Sequence, residues 1–238
     1  MTWMTSDCRL PAPSFDAIAA RYDFLNRVLS LGLDGKWRKK AVAALELLSS
    51  AASPARVLDL ATGTGDLALA VARACPTAEV IGVDPSPRML DRAREKAKAA
   101  GARIRFLDGA AESLPFSDGA LDGATIAFGI RNVADRPRAL AELGRVLRRG
   151  GRLVVLELGE PRRGPLAPFA RFWVHVVVPL IGGWLARAPD EYRYLARSMA
   201  RFPPPDAFAC ELREAGFTVE KVTPLVAGVA HLFVASRP

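Results

Sequence analysis

The sequence has few of the residues that hold disulfide frameworks or metal centres. Its 238 residues include three cysteines, Cys8, Cys75 and Cys210, and only two histidines. Because the cysteines are odd in number and far apart, they form neither a disulfide framework nor a metal-ligand spacing. Free cysteines are typical of a reducing compartment. We therefore expect a cytoplasmic protein without a metal ion.

Signal peptides and membrane-spanning runs are also lacking. The first thirty residues show no charged-then-apolar pattern of the secretory kind. The most apolar stretch, residues 172–185, is shorter than the roughly 20 residues that a spanning helix needs. It also contains His175, Pro179 and the pair Gly182-Gly183. We expect an interfacial or pocket-lining helix there.

Acidic residues are fewer than basic ones, 25 against 33, which gives a net charge of +8. A basic surface is compatible with nucleic acid, anionic lipid or an acidic substrate. The basic residues, however, are scattered along predicted solvated helix faces, and no nucleic-acid-binding motif accompanies them. We expect no nucleic-acid partner.

The chain does contain one strand–turn–helix–strand unit, in residues 56–84. The Val- and Leu-rich strand Arg56 to Leu60 precedes the glycine turn 63–65, and a helix from about Asp66 follows. The second strand ends on Asp84, which is placed to accept hydrogen bonds from ribose hydroxyls. Glycine in the turn lets a ligand approach the backbone closely.

The details of the turn favour S-adenosylmethionine over a dinucleotide. A dinucleotide site requires GxGxxG with pyrophosphate at the helix N-terminus, but Ala68 stands where the third glycine would be. The carboxylates of Asp59 and Asp66 flank the turn and would repel pyrophosphate. They suit a ligand that carries an ammonium and a sulfonium group. The spacing of Asp59, Gly63 and Gly65 resembles motif I of the class I methyltransferases.

Strands and helices alternate five times, which predicts an α/β fold with a parallel sheet and helices on both faces. Ligands bind at the carboxyl ends of such strands. Polar residues follow those ends throughout, at Asp59, Asp84, Asp108, residues 129–132 and Glu157. Residues 217–224 and 229–235 predict an antiparallel hairpin at the sheet edge.

We expect a single domain over residues 14–238, after a disordered stretch at 1–13. Within it, residues 14–53 predict a helical lid before the first strand. Residues 162–203 interrupt the alternation and predict a helical insertion on the substrate side.

Several segments together resemble one family closely, the menaquinone/ubiquinone-biosynthesis C-methyltransferases. They are FDAIAARYDFLNRVLSLGLDGKWR (15–38), VLDLATGTGDLA (57–68), AAESLPFSDGALD (110–122), FGIRNVADRPRALAELGRVLRRGGRLVVLELGEP (128–161) and YRYLARSMARFP (192–203). Motif I and the LPF segment occur in many class I methyltransferases, whereas the RYD–LN–LSLGLD–WR and FGIRN segments are more particular to this family.

The resemblance implies a Rossmann-like, seven-stranded sheet of order 3-2-1-4-5-7-6, mostly parallel with an antiparallel C-terminal strand. It implies methyl transfer from S-adenosylmethionine to a ring carbon of a polyprenylated quinol. The residues expected to contact the cofactor are Asp59, Gly63, Thr64, Gly65, Asp84, Ala110, Ala111 and Ala127. Many family members carry Asn or Asp in place of Ala110 and Ser in place of Ala127, so those two alanines have lost a side-chain hydrogen bond.

Carbon methylation requires an electron-rich ring carbon, which a hydroquinone provides when a hydroxyl group loses its proton. The catalytic candidates are Arg131, Asn132 and His175. We expect Arg131 to stabilise the developing phenolate; the alternative is an ion pair with Asp23 or Glu157 that braces the loop. Tyr22, Asp23 and Tyr194 are candidates for substrate contact.

Apolar residues of the helical segments offer walls for a prenyl tail, and the positive charge fits a peripheral contact with anionic membrane. Demethylmenaquinol is the favoured substrate, with a ubiquinone-pathway benzoquinol as the alternative. A methyltransferase acting on a sterol or small phenol, a catalytically silent cofactor-binding protein and an NAD-dependent oxidoreductase are further alternatives. The oligomeric state, including a homodimer, stays open.

Overall fold

The computed structural model describes residues 27, 30, 32–46, 54–159 and 197–238. Five helices and seven strands lie in these ranges. The helices are α1 (Asp34–Ala44), α2 (Asp66–Ala74), α3 (Pro87–Ala99), α4 (Arg136–Val146) and α5 (Pro205–Glu214). The strands are β1 (Arg56–Leu60), β2 (Glu79–Asp84), β3 (Ile104–Asp108), β4 (Leu121–Ala127), β5 (Leu147–Leu158), β6 (Thr218–Leu225) and β7 (Ala230–Ser236).

The strands form one sheet of order β3-β2-β1-β4-β5-β7-β6, which confirms the predicted topology. The first five strands pair in parallel, with Val57 of β1 opposite Val80 of β2 and Gly123 of β4. Strand β7 runs antiparallel to both β5 and β6, as expected of a C-terminal hairpin. The carboxyl ends of β1, β2, β3 and β4 therefore meet at one edge of the sheet.

Local sequence signals explain most element boundaries. Ser86 caps α3, because its Oγ accepts a hydrogen bond from the backbone N–H of Met89 at 3.2 Å. Asp135 caps α4 in the same way through the N–H of Arg138 at 3.0 Å. Gly101, at φ +63°, follows α3. Strand β5 is the clear exception: its apolar run after the Gly150-Gly151 pair predicts a start at Arg152, but the strand begins at Leu147.

The early start of β5 has a local cause. Leu147 pairs with Leu121 of β4, and a register shift between Leu121 and Gly123 then brings Gly123 opposite Arg152. The intervening residues bulge out of the ladder at Gly150, which has φ +72°. Pairing across that bulge depends on β4 and could not be read from the segment itself.

The core has one apolar layer on each face of the sheet. Val57 of β1 packs into the layer with α1, α2 and α3. Its neighbours Leu58 and Leu60 face the opposite layer, with α4 and α5. This alternation also directs Asp59 toward α2, because residues two apart in a strand share a face. Helices thus cover both faces, as predicted.

The expected disordered N-terminus lies outside the described residues, as do most of the helical lid and of the insertion at 162–203. Helix α1 is the described part of the lid. In the described ranges no helix is long and apolar enough to cross a membrane. The same ranges hold no group of His, Cys, Asp and Glu side chains that could bind a metal ion.

Candidate active site

A cleft opens at the sheet edge where the carboxyl ends of β1, β2, β3 and β4 meet. It encloses about 860 Å³, part of it open to solvent. Its lining is mostly apolar, with the carboxylates of Asp84 and Glu112 among the few charged groups. Such a concave, largely apolar site with a few polar groups is typical of small-molecule binding. The lining residues are Leu60, Ala61, Gly63, Asp84, Pro85, Met89, Gly109 to Glu112, Phe128, Gly129 and Asn132 to Ala134.

Asp84, the last residue of β2, is fixed at the centre of this cleft. One carboxylate oxygen accepts a hydrogen bond from the N–H of Gly63 at 2.8 Å, and the other accepts from the N–H of Ser86 at 2.9 Å. The side chain is therefore held by the backbone turns that follow β1 and β2. Each carboxylate oxygen has further lone pairs, so Asp84 can also accept hydrogen bonds from the hydroxyl groups of a ribose.

The two glycines of the turn have different roles. Gly63, at φ +55°, lines the cleft, so the backbone itself forms a wall there. Gly65 has φ +82°, and a Cβ on it would lie 3.0 Å from the Cβ of Ala93 in α3. Gly65 therefore permits close packing of the turn on α3. It is not part of the cleft lining, although the sequence suggested cofactor contact for it.

Asp59 is buried beneath the turn. Its carboxylate accepts hydrogen bonds from the hydroxyls of Thr62 at 2.6 Å and Thr125 at 2.8 Å, and from the N–H of Ala68 at 3.0 Å. Burial raises the pKa of Asp59 to about 6, against the opposing effect of those hydrogen bonds. Asp59 thus ties β1 to the start of α2 and to β4.

Asp66 and Thr64 belong to a polar network at the start of α2. The ammonium of Lys96 contacts the Thr64 hydroxyl at 2.9 Å and the Asp66 carboxylate at 2.7 Å. Lys96 lies on α3, so this network joins the turn to the neighbouring helix. The sequence suggested that the Asp66 carboxylate attracts the cationic groups of the cofactor. In the structure, the ammonium of Lys96 balances part of that negative charge.

Ala110 and Ala111 line the cleft beyond β3, and Ala127 lines a smaller adjoining pocket. The loop that carries Ala110 and Ala111 is anchored to α4. Glu142 accepts a hydrogen bond from the N–H of Leu114 at 2.8 Å. Hydrogen bonds from Arg145 to Glu142 lower the pKa of this carboxyl to about 2. The Glu142–Arg145 pair of α4 therefore holds the loop in place. The sequence did not indicate this contact.

Arg131 lies beside the cleft, and its guanidinium contacts other residues of the protein. Its Nη1 is 2.5 Å from the Glu157 carboxylate and donates to the carbonyl of Phe128 at 2.6 Å. Its Nε donates to Ser198 at 3.3 Å. The Arg131 side chain is only 4% exposed and that of Glu157 is fully buried. The ion pair with Glu157, which the sequence allowed, is thus present, and stabilisation of the quinol phenolate by Arg131 stays a prediction.

Asn132, by contrast, lies in the cleft lining. It follows Arg131 in a short 3-10 helix, Ile130–Asn132. The candidates Tyr22, Asp23, His175 and Tyr194 lie outside the described residues. Contact between them and the cleft stays a prediction.

Phe128 is a site residue that the sequence did not single out. It directly follows β4 and has φ +58°, and Ala61, which directly follows β1, has φ +51°. Both lie in the cleft lining. A Cβ on the next residue, Gly129, would lie 2.6 Å from the Cβ of Ala61. Strained backbone at the ends of adjacent strands is typical of binding sites, but positive φ in Ala or Phe has no sequence signal.

Helix α1 contributes two further residues, Trp37 and Arg38, to the site. Trp37 packs against Phe128 with ring centroids 6.4 Å apart, and the guanidinium of Arg38 lies 5.6 Å from the centre of the same ring. Arg38 also lines the smaller pocket, together with Asp59, Thr62 and Thr64. The WR pair at 37–38 was part of the segment that carried the family resemblance.

The strand order, the glycine turn after β1 and the fixed acid after β2 define a class I S-adenosylmethionine-dependent methyltransferase. Solved structures of this class share the fold. A S-adenosylmethionine-dependent methyltransferase from Thermotoga maritima, described as a possible histamine N-methyltransferase, has a TM-score of 0.63 at 22% identity and covers 94% of this chain and 98% of its own. One from Aquifex aeolicus has a TM-score of 0.63 at 19% identity, with coverage of 92% and 97%.

The chain belongs to the ubiE/COQ5 methyltransferase family, whose model matches residues 7–237. The demethylmenaquinone methyltransferase of Thermus thermophilus is 49% identical over 94% of this chain and 100% of its own. The ubiquinone/menaquinone biosynthesis C-methyltransferase of Syntrophotalea carbinolica is 45% identical, over 94% of this chain and 93% of its own. The expected family, enzyme class and cofactor are thereby confirmed.

Proposed function

We propose that this enzyme methylates a ring carbon of demethylmenaquinol to give menaquinol. The observation that carries the proposal is the 49% identity to a demethylmenaquinone methyltransferase along that protein's entire length. A second relative of that name, from Thermotoga maritima, is 43% identical over 92% of this chain and 93% of its own.

The described residues fit the cofactor. Asp84 offers carboxylate oxygens to the ribose hydroxyls. Gly63, beside Asp84, has no side chain, so the cofactor can approach its backbone closely. Met89, Ala110 and Ala111 give the apolar walls that an adenine ring requires. When bound, S-adenosylmethionine supplies an electrophilic methyl group next to a positively charged sulfur.

The chain's own part in the reaction is alignment and exclusion of water. Well-held reactants reach effective molarities of about 10⁵ M or more. Phe128, Gly129 and Asn132 form the wall on the β4 side, and Arg131 holds that wall through the Phe128 carbonyl. We propose that Asn132 contacts a quinol oxygen there. His175, Tyr22, Asp23 and Tyr194 stay candidates for proton removal and substrate contact.

The second candidate substrate is a 2-methoxy-6-polyprenyl-benzoquinol of the ubiquinone pathway. It is favoured by relatives named ubiquinone/menaquinone biosynthesis C-methyltransferases, such as that of Syntrophotalea carbinolica. To distinguish the two, each quinol would be incubated under reducing conditions with purified enzyme and methyl-labelled S-adenosylmethionine. We expect one labelled methyl group on the naphthoquinol ring. Labelling of the benzoquinol alone would contradict the proposal.

We also propose a peripheral contact with anionic membrane, because the substrate's prenyl tail resides in lipid and the net charge is +8. Flotation with anionic vesicles at low salt is expected to carry the protein upward, and neutral vesicles should not. Absence of flotation at every lipid charge would contradict this proposal.

A further inference from the structure

We propose that Arg38, on helix α1, binds the carboxylate of the amino-acid end of S-adenosylmethionine. The cofactor itself follows from the family, so the assignment of Arg38 is independent of which quinol is methylated. It rests on a second pocket, on the geometry of Arg38 within that pocket and on the charges that surround it.

The second pocket adjoins the main cleft and is a shallow space of about 320 Å³, part of it open to solvent. The two share Ala61, Gly63 and Phe128 in their linings. Asp84 lies in the main cleft on one side of this shared wall, whereas Arg38 lies in the smaller pocket on the other side. The two spaces are therefore adjacent at Gly63, and an extended ligand lying beside this residue would contact both.

The residues that line the two spaces determine which end of such a ligand lies in which space. The main cleft offers Asp84 and apolar walls, which suit ribose and adenine. The smaller pocket is polar, with Thr62, Thr64, Asp59 and Asp66 in its lining. The remaining part of the cofactor is an amino acid, with one ammonium and one carboxylate group. We therefore place this zwitterionic end in the smaller pocket.

Charge then selects Arg38 for the carboxylate. Asp59 and Asp66 would repel that group, and within the described lining of this pocket Arg38 is the one basic side chain. The Arg38 side chain is only 10% exposed. A guanidinium presents a planar set of donors that matches a carboxylate, and a partly desolvated site strengthens the pair.

The neighbours of Arg38 orient it without using all of its donors. Its Nη1 donates to Asp34, whose carboxylate also accepts from the Ser30 hydroxyl at 3.1 Å. Its Nη2 is 3.7 Å from Asp66, too long for a hydrogen bond. Among the described residues, Nε and Nη2 of Arg38 make no hydrogen bond. Within the part of the chain that the structure describes, these donors stay available to a ligand in the pocket.

An alternative role for Arg38 is to brace α1 against the glycine turn and Phe128. The two roles differ in what they predict for shortened ligands. A bracing role would affect every ligand of the cleft, because it acts on the shape of the site. A carboxylate-binding role would affect only ligands that carry the carboxylate.

The test measures binding of two ligands by isothermal titration calorimetry, without any turnover. S-adenosylhomocysteine has the amino-acid end, and 5′-methylthioadenosine lacks it. We expect Arg38→Met to weaken S-adenosylhomocysteine binding by about 10- to 100-fold, as for loss of a hydrogen-bonded charge pair. Binding of 5′-methylthioadenosine should change by less than about 3-fold, because this ligand has no carboxylate for Arg38 to bind. Lys39→Met, which removes one positive charge from an exposed position of the same helix, should alter neither.

Arg38→Lys keeps the charge without the planar fork and should lose S-adenosylhomocysteine affinity selectively, by less than Arg38→Met. If Arg38→Met does not fold, Arg38→Lys and the wild type are enough to test the proposal. The wild type should then bind decarboxylated S-adenosylhomocysteine about 10- to 100-fold more weakly than the intact ligand, and Arg38→Lys should narrow that gap. Equal losses for both ligands, or unchanged binding of S-adenosylhomocysteine, would overturn the proposal. Neither result depends on the quinol assay.

Discussion

At the scale of single residues, the two aspartates at the carboxyl ends of β1 and β2 have different roles. Asp84 lies in the cleft and holds two turns through its carboxylate. Asp59 is buried below the turn and binds three donors of the protein. The first is thus placed to meet a ligand, and the second mainly to shape the turn.

Asp84→Asn is expected to weaken S-adenosylhomocysteine binding by about 10- to 100-fold, because a hydrogen bond to a charged acceptor contributes about 1.5–3 kcal/mol. The asparagine would also present an NH₂ group to the N–H of Gly63 or Ser86. Calorimetry measures the affinity. The matched control is Asp91→Asn, which removes the same charge from an exposed position of α3 and should leave affinity unchanged. A similar loss of affinity in both variants would show that Asp84 does not bind the ligand directly.

Asp59 should make stability depend on pH in an unusual direction. Burial raises its pKa to about 6, whereas the unfolded chain has the ordinary value near 3.9. The folded state therefore binds the proton more tightly. The stabilisation is complete below about pH 4 and is lost as pH rises through 6.

Relative to Asp59→Asn, the wild type should gain about 2–3 kcal/mol of unfolding free energy between pH 7 and pH 4, at about 1.36 kcal/mol per pKa unit. Urea unfolding of both proteins at several pH values measures this difference, which cancels the titration of all other groups. A wild type that loses stability relative to the variant on acidification would show that the pKa of Asp59 is not raised.

At the scale of elements, the turn after β4 depends on β5. Glu157 of β5 binds both the guanidinium and, at 3.1 Å, the backbone N–H of Arg131. Arg131 in turn contacts the carbonyl of Phe128 and the hydroxyl of Ser198. The pair therefore links the cleft wall to a strand and to the helical turn at 197–201. Such a buried pair is costly to break, because one charge would be left unpaired.

Glu157→Gln should lower the unfolding free energy by about 3 kcal/mol, as expected when one partner of a buried ion pair is removed. In an Arg131→Met background the same change should cost less, with a coupling energy of about 2 kcal/mol in the double-mutant cycle. Urea unfolding of the four proteins measures it.

The matched cycle uses the Arg56–Glu79 pair, which has a 2.9 Å contact but side chains 36% and 42% exposed. Exposed pairs typically couple by less than about 1 kcal/mol. If the two cycles gave equal coupling, burial of the Arg131–Glu157 pair would be without energetic consequence.

At the scale of the whole molecule, the sheet order brings four strand ends to one edge and makes a single cleft from distant segments. A ligand that binds the folded state alone stabilises it by RT ln(1 + L/Kd), where L is the free ligand concentration, so the gain rises with the logarithm of that concentration. Thermal unfolding therefore tests the class of cofactor directly.

S-adenosylhomocysteine at 100 times its dissociation constant should add about 2.7 kcal/mol to the unfolding free energy. For a chain of this size that corresponds to a rise of about 5–10 °C in Tm. NADH at the same concentration should leave Tm unchanged, because two carboxylates and the missing third glycine disfavour a pyrophosphate. Stabilisation by NADH alone would contradict the cofactor assignment.

The sequence by itself determined the fold class, the strand order through its family resemblance, and the positions of Asp84 and the glycine turn. Apart from the strand order, these follow from local signals: Val- and Leu-rich runs, caps such as Ser86, and spacing within one strand–turn–helix unit. The tertiary structure alone decided that Arg131 pairs with Glu157, that Gly65 faces α3 and that Arg38 reaches the glycine turn. Those contacts join residues far apart in the chain, and their geometry depends on how strands and helices pack rather than on any local pattern.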